Sequence, residues 1–264
     1  MLNKIHNMDC VEGMRMLPDE SVDLTVTSPP YDNLRRYHGF SWDFEATARE
    51  LYRVTKPGGV VVWVAGDATI KGSETGTSFR QALYFMEIGF RLHDTMIYAK
   101  NNPIPQNHNR YEQSFEYMFV FSKGKPKAFH PIMEPTKNAG KALQWGNRKT
   151  VMDANQCRRD RGNDVLVVKS QKPKTNIFFY NIGGGKTGHP AVFPEQLAAD
   201  HILSWSNPGD IVLDPFIGSG TTAKMAILNS RNFIGFDSSA EYCEIANKRA
   251  EDALRQLKED TYVK

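Results

Sequence analysis

The sequence predicts an α/β fold, a doubly wound and mostly parallel sheet that carries one basic insert. Three observations predict it. Apolar runs of strand length alternate with stretches of helical periodicity on both sides of the insert. The run Val60-Val-Val-Trp-Val-Ala65 is apolar throughout, as a strand buried on both faces must be. Finally, Val212-Leu-Asp-Pro-Phe-Ile-Gly-Ser-Gly-Thr-Thr222 packs a strand ending, a carboxylate, two glycines and a helix start into eleven residues.

In chain order, Ile5 to Cys10 leads into a short amphipathic turn on which Val11, Met14 and Leu17 recur at helical spacing, until Pro18-Asp-Glu-Ser21 breaks it. Residues 22–27 alternate as a strand and run into Ser28-Pro29-Pro30-Tyr31, whose prolines lack N–H groups and end regular pairing. Asn33 to Phe44 is loop-like and crowded with Arg35, Arg36, Tyr37 and Trp42. From Asp43 to about Thr55, the positions Phe44, Ala48, Leu51, Tyr52 and Val54 mark the apolar face of a helix that Lys56-Pro-Gly-Gly59 stops. After the strand at 60–65, a polar loop at 72–76 precedes a helix over about 77–88. Strands over 91–99 and 115–121 then flank an Asn- and Pro-rich loop from Asn101 to Arg110. A helix over about 194–205 precedes the glycine turn. A last helix over about 239–257 places Tyr242, Ile245, Ala246, Ala250, Ala253, Leu254 and Leu257 on one face.

The 264 residues suffice for a full hydrophobic core. No run approaches the roughly 18 apolar residues of a membrane span, and the N-terminus lacks the layout of a signal peptide, so a cytoplasmic protein is expected. Cys10, Cys157 and Cys243 stand far apart with no CxxC spacing, which suggests neither a disulfide framework nor a metal site. Net charge is +3, but Lys123 to Gly188 holds fourteen Lys and Arg against four acids, a local +10 that leaves −7 for the remainder. Such a segment is most often a solvated surface; concentrated in one insert, it favours a polyanionic partner. The expected organisation is therefore a catalytic domain over 1–122 and 189–264, interrupted by an insert over 123–188. That insert shows little periodicity beyond 165–168 and 177–180, and no fold is assigned to it.

A bare GxG turn is compatible with an ordinary strand–helix connection, but Asn232-Phe-Ile-Gly-Phe-Asp237 supplies a second strand ending in a carboxylate, where dinucleotide-type folds hold ribose hydroxyls. A P-loop requires Lys-Ser/Thr directly after its last glycine; here Thr221 follows Gly220 and Lys224 comes too late. Ligands in such sheets bind at the carboxyl ends of the strands. Asp9-Cys10, Ser28-Pro29-Pro30-Tyr31 and Asp214-Pro215-Phe216 are thus expected to converge on one cleft. The proline pair leaves carbonyl acceptors free beside the Ser28 hydroxyl, and Tyr31 offers a flat face. That combination suits a planar ring bearing an amino group, although an isolated Pro-Pro-Tyr also serves as a rigid surface turn.

Thr27-Ser-Pro-Pro-Tyr31 together with Asp214-Pro-Phe-Ile-Gly-Ser-Gly-Thr-Thr222 resembles the amino-directed DNA methyltransferases that use S-adenosylmethionine, with the motif order of their permuted beta group. The resemblance spans Asp9 to Asp237 and implies a Rossmann-like methyltransferase fold. It implies that Ser28, Pro29, Pro30 and Tyr31 act on the target base. It further implies that Asp214, Phe216, Gly218 and Gly220 approach the methionine part of the cofactor, that Pro215, Ser219, Thr221 and Thr222 belong to the same cofactor-binding turn, and that Asp237 holds the ribose. Asp9 and Cys10 match the adenine-contacting position, and His189, Phe193 and Pro194 the segment that closes over methionine. A helix cap for Asp9 and core packing for Phe193 are the alternatives. Double-stranded DNA is the expected partner, with Arg35, Arg36, Arg110, Arg148, Lys149, Arg158, Arg159 and Arg161 as candidate contacts; monomer and homodimer remain open. No cysteine follows a proline, which argues against the cysteine-dependent attack at cytosine carbon 5. Serine at the head of the tetrapeptide is typical of N4-cytosine enzymes and Asp or Asn of N6-adenine enzymes, so cytosine is placed ahead of adenine. An RNA- or protein-amide-directed enzyme is a further alternative.

Overall fold

The computed structural model describes residues 1–30, 42–103, 105, 109–143, 150–152, 158–160, 166–182 and 194–262. The chain forms two units, Met1–His130 with Asn176–Lys264, and Pro131–Thr175.

The first unit is built on an eight-stranded sheet. Its strands are β1 (Lys4–Asn7), β2 (Val22–Thr27), β3 (Thr55–Ala65), β4 (Arg91–Lys100), β5 (Phe115–Ser122), β6 (Ile177–Tyr180), β7 (Ile211–Asp214) and β8 (Asn232–Asp237). Their order across the sheet is β1-β8-β7-β2-β3-β5-β4-β6. Every neighbouring pair is parallel except those made by β5, which runs antiparallel to β3 and to β4. The sheet is therefore mostly parallel, as the continuous apolar runs require.

The helices are α1 (Cys10–Arg15), α2 (Phe44–Val54), α3 (Thr77–Glu87), α4 (Glu195–Trp205), α5 (Thr221–Leu228) and α6 (Ala240–Tyr262). Alternation along β3 divides them between two layers. Val61, Trp63 and Ala65 enter a core with Met14 of α1, Leu51 of α2 and Phe85 of α3. Val60, Val62 and Val64 are equally buried on the opposite face, which α4, α5 and α6 cover by packing in series against one another and against β2, β7 and β8. Along α6, Cys243, Ala246, Ala250 and Ala253 are buried, whereas Leu254, assigned by periodicity to the same face, is exposed.

Helix α1 has only six residues and depends on side chains at both ends. Asp9 caps its start. At its end, Arg53 of α2 donates to the carbonyls of Met14 at 2.6 Å and Leu17 at 2.9 Å while pairing with Glu50 and Asp19. The guanidinium thereby adds a charged donor to the Met14 carbonyl, which also accepts the Leu17 amide, and to the Leu17 carbonyl just beyond the helix.

The second unit is a set of nested antiparallel pairings: 133–135 with 171–173, 142–143 with 166–167, and 150–152 with 158–160. Its boundaries are narrower than the 123–188 expected from charge. Residues 123–130 stay with the first unit, and Ile177–Tyr180 is the edge strand β6, with Phe178 and Tyr180 buried and Ile177 and Phe179 exposed. Charge marks a solvated surface, and a surface does not respect the point where a sheet strand begins.

Replacing Arg53 with Met keeps the stem but removes the donors to the Met14 and Leu17 carbonyls and the pairing with Glu50 and Asp19. The expected loss is about 1–3 kcal/mol in chemical unfolding, and an unchanged midpoint would show that α1 does not need this cap.

Candidate functional site

Four strands of the first unit, β1, β8, β7 and β2, lie side by side and parallel, so the chain leaves all of them at the same edge. Register aligns Asn7 with Asp237, Asp214 with Gly235, and Thr25 with Leu213. Asp9, Ser28, Asp214 and Asp237 all follow or finish strands at this edge.

At its centre is a carboxylate with no exposed surface. Asp214 Oδ1 accepts the Thr27 hydroxyl at 2.6 Å and the Phe216 amide at 3.0 Å, and Oδ2 accepts the Thr222 hydroxyl at 2.7 Å. Burial pushes this carboxyl up to about 6, against the three donors, which favour the ionised form. Asp214 thus joins β2, immediately before Ser28-Pro29-Pro30, to the cofactor-type turn and to the first residues of α5. Pro29 is buried, whereas Ser28 and Pro30 are partly exposed.

The turn itself is pinned by its backbone. Ile217 donates to the Phe236 carbonyl at 2.9 Å, Gly218 to Asp237 Oδ2 at 3.0 Å, and Gly220 to the Ile217 carbonyl at 2.8 Å. Gly220 has φ +82°, and a Cβ there would lie 2.8 Å from both Cα and Cβ of Ala246 on α6. Glycine is required on both counts. Thr221 then opens α5, whose first-turn amides have no acceptor within the helix. Asp237 is partly exposed; Oδ1 accepts the Ser239 amide at 2.8 Å, so each oxygen takes one backbone N–H and retains further acceptor capacity. Burial shifts its carboxyl upward, opposed by those two amides. Phe216 stands edge-on to Trp42, with ring centroids 4.9 Å apart, and to Trp63 at 6.4 Å.

Asp9 is the N-cap of α1: Oδ1 accepts from Val11 at 2.8 Å and Glu12 at 3.1 Å. Cys10 is buried, its sulfur 3.6 Å from Thr47 Oγ1, and burial pushes the thiol up to about 12, which leaves it without nucleophilic thiolate near neutrality. Beside these residues a cleft of about 930 Å³ is lined by Asp9, Arg15, Trp42, Asp43, Phe44 and Arg49 among others. Pro194 precedes α4, and the next residue, Glu195, pairs with Lys224 and Arg249.

Tyr31, Arg35, Arg36, Arg148, Lys149, Arg161, His189 and Phe193 lie outside the described residues. Arg110 donates to the Gly72 carbonyl and stands 3.7 Å from Glu74. Arg158 and Arg159 have their backbones in the innermost pairing of the second unit, opposite Met152 and Val151. Among the described residues no cluster of three His, Cys, Asp or Glu is placed to hold a metal, and no helix is long and apolar enough to cross a membrane. Sequence reasoning missed Thr27, Trp42 and Arg249 as parts of the site. Thr27 had a signal, a hydroxyl in an apolar strand beside the tetrapeptide; Arg249, on a charged helical stretch, had none.

Residues 22–248 match the family described as DNA methylase. The chain is 56% identical over 246 residues to the orphan methyltransferase M.BamHII of Bacillus amyloliquefaciens, covering 89% of this chain and 91% of the relative. Its fold is similar to that of M1.HpyAVI in complex with SAM, with a TM-score of 0.63, 26% identity, and 93% and 98% of the two chains covered. It is also similar to the PvuII DNA methyltransferase, described as cytosine-N4-specific, with a TM-score of 0.66, 20% identity, and 96% and 91% covered.

Folding raises Asp214 from its ordinary 3.8 to about 6. Between those values the folded chain keeps a proton that the unfolded chain has lost, so this group's contribution to stability falls as pH rises through the window. Asp214→Asn removes that component, and the difference between wild-type and variant melting curves from pH 4 to pH 7 reads it directly; parallel curves would contradict the shift. Gly220→Ala is expected to lose about 2–4 kcal/mol through contact and backbone strain. Adding Ala246→Gly removes the clash with the Ala246 Cβ but leaves the equally close Cα, so it should recover only a minor part of the loss in thermal unfolding.

Proposed function

Because the chain belongs to the DNA methylase family, we propose that it transfers the methyl group of S-adenosylmethionine to the exocyclic N4 of a cytosine extruded from duplex DNA. It is an S-adenosylmethionine-dependent DNA methyltransferase of the N4/N6 amino-directed kind; the target base and the individual residue roles are the proposal. The observation that carries it is the Ser28-Pro29-Pro30 turn, held through Thr27 and Asp214 to the edge where the glycine turn lies.

The residues present fit the cofactor. Asp237 keeps acceptor capacity for ribose hydroxyls, Gly220 brings backbone where no Cβ fits, and the first-turn amides of α5 suit a carboxylate. When bound, S-adenosylmethionine supplies a methyl group on a positively charged sulfur. Asp214 acts through the turn rather than by touching the ligand, because its carboxylate has no exposed surface and is bonded to Thr27, Phe216 and Thr222. Asp9 borders the cleft that Trp42 also lines and is assigned, with the Cys10 amide, to the adenine end. Pro194, with His189 and Phe193, is assigned to the methionine end.

An exocyclic ring amine is a poor nucleophile because its lone pair is delocalised into the ring. In this reading the Ser28 hydroxyl and the Pro29 carbonyl accept its N–H groups, which returns electron density to nitrogen and takes up the developing positive charge. Tyr31 offers its ring for stacking. Serine at position 28 provides a neutral acceptor and is the tetrapeptide form associated with N4-cytosine targets, which sets cytosine ahead of adenine. Extrusion of the base costs a few kcal/mol. Arg35, Arg36, Arg110 and the basic residues of the insert offset this by phosphate contacts.

Digestion of methylated duplex DNA to nucleosides should release N4-methylcytosine on mass analysis; N6-methyladenine would overturn the choice of base, and labelling of RNA or protein with inert DNA would overturn the substrate class. Asp237→Ala is expected to raise KM for the cofactor about 10-fold or more with a smaller change in kcat. Ser28→Ala should do the reverse, reducing kcat with cofactor binding retained.

A further inference from the structure

The back of the glycine turn is held by a residue that no motif contains. Arg249, on α6, directs Nη1 to the Ser219 carbonyl at 2.6 Å, the Ser219 hydroxyl at 2.9 Å and the Thr221 hydroxyl at 3.3 Å. Its Nη2 donates to Glu195 Oε1 at 2.7 Å. Glu195 also receives the Lys224 ammonium of α5 at 2.7 and 2.8 Å. Burial opposes ionisation of Glu195, but hydrogen bonds from Lys224 and Arg249 hold its carboxyl below the ordinary carboxylate range.

Both sides of one peptide bond are therefore fixed. The Ser219 carbonyl is taken by Arg249, and the Gly220 amide of the same peptide by the Ile217 carbonyl. This is the bond that leads into the left-handed residue Gly220, whose orientation decides where the first amides of α5 point. A lone carbonyl–amide turn has shallow alternatives at a Gly-Ser-Gly sequence, because two of its three residues carry no Cβ. A charge-assisted fork removes them. The same guanidinium is tied to Glu195, the residue directly after Pro194, so one side chain bridges two stretches assigned to the cofactor.

We propose that Arg249 is a positioning residue of the cofactor turn, held in place by Glu195, and that it pre-orders the Ser219–Thr221 backbone for S-adenosylmethionine. The role rests on the reading of this turn as the cofactor site. Loss of the fork should therefore cost cofactor affinity, since the turn would then have to be ordered at the moment of binding, and leave the chemical step and DNA affinity largely intact.

The test is calorimetric titration of wild type, Arg249→Met, Arg249→Lys and Glu195→Gln with S-adenosylmethionine, alongside steady-state methylation of duplex DNA and thermal unfolding of each variant. Arg249→Met is expected to raise the cofactor Kd and KM about 10-fold or more, with kcat at saturating cofactor and KM for DNA within about threefold of wild type. Arg249→Lys keeps a cation without the fork and should recover a minority of the loss, and Glu195→Gln should show a smaller loss in the same direction. A cofactor Kd within about twofold of wild type in folded Arg249→Met, or a fall in kcat with Kd unchanged, overturns the positioning role. Should Arg249→Met fail to fold, Arg249→Lys and Glu195→Gln decide the matter by the same criterion. A wild-type protein that does not bind S-adenosylmethionine would instead overturn the reading of the site on which the role rests.

Discussion

A single buried carboxylate holds the two halves of the site in register. Asp214 ends β7, and both its oxygens are spent on the chain: Thr27 at the end of β2, Thr222 at the start of α5, and the amide of Phe216 between them. An ionised carboxylate without exposed surface is costly unless it is fully hydrogen-bonded, and here three donors converge on it. The geometry is correspondingly intolerant. A shift of either strand breaks a bond in the least forgiving environment of the protein, so the proline turn after β2 and the glycine turn after β7 keep their separation.

The sheet supplies the rest. Because β1, β8, β7 and β2 are parallel neighbours, their carboxyl ends fall together even though Asp9 and Asp237 are 228 positions apart in the chain. The glycine turn is then secured by neighbours from several elements: Gly218 by Asp237 of β8, Gly220 by Ala246 and Ser219 by Arg249, both on α6, and Phe216 by Trp42 and by Trp63 of β3. A turn that looks self-contained in sequence is in this sense the product of several separate elements.

Much of this is legible in the sequence, and the boundary of legibility has physical reasons. Residues 60–65 read as a strand buried on both faces because every position is apolar, and helix α2 reads correctly because its caps and its apolar face agree. Asp214, Gly220 and Asp237 are legible because strand endings, glycines and carboxylates carry local meaning. The pairings in 131–175 are not, because strands of two or three residues are too short to display alternation. Edge strand β6 is assigned to the insert for a related reason: its four residues sit in a basic stretch, and only the pairing with β4 reveals their membership. Asp214 is legible as a site residue but its burial is not, since nothing local says that Thr27 and Thr222 will close over it. Arg249 lies on a helix rich in charge, where one arginine looks like the next until the fold brings Ser219 to it.

The nested pairings of the second unit bear on how such a chain can change. Its outermost strands, 133–135 and 171–173, lie next to each other, and the Lys174 amide donates to the Ile132 carbonyl at 2.8 Å. The polypeptide thus departs from and returns to the first unit through one narrow neck. Whatever is enclosed between those strands forms a loop closed at its base, and lengthening such a loop costs only slowly growing closure entropy. Residues beyond the neck can be added, deleted or exchanged by recombination without altering the register of any strand in the eight-stranded sheet. The scaffold and the inserted cassette are therefore free to diversify at different rates.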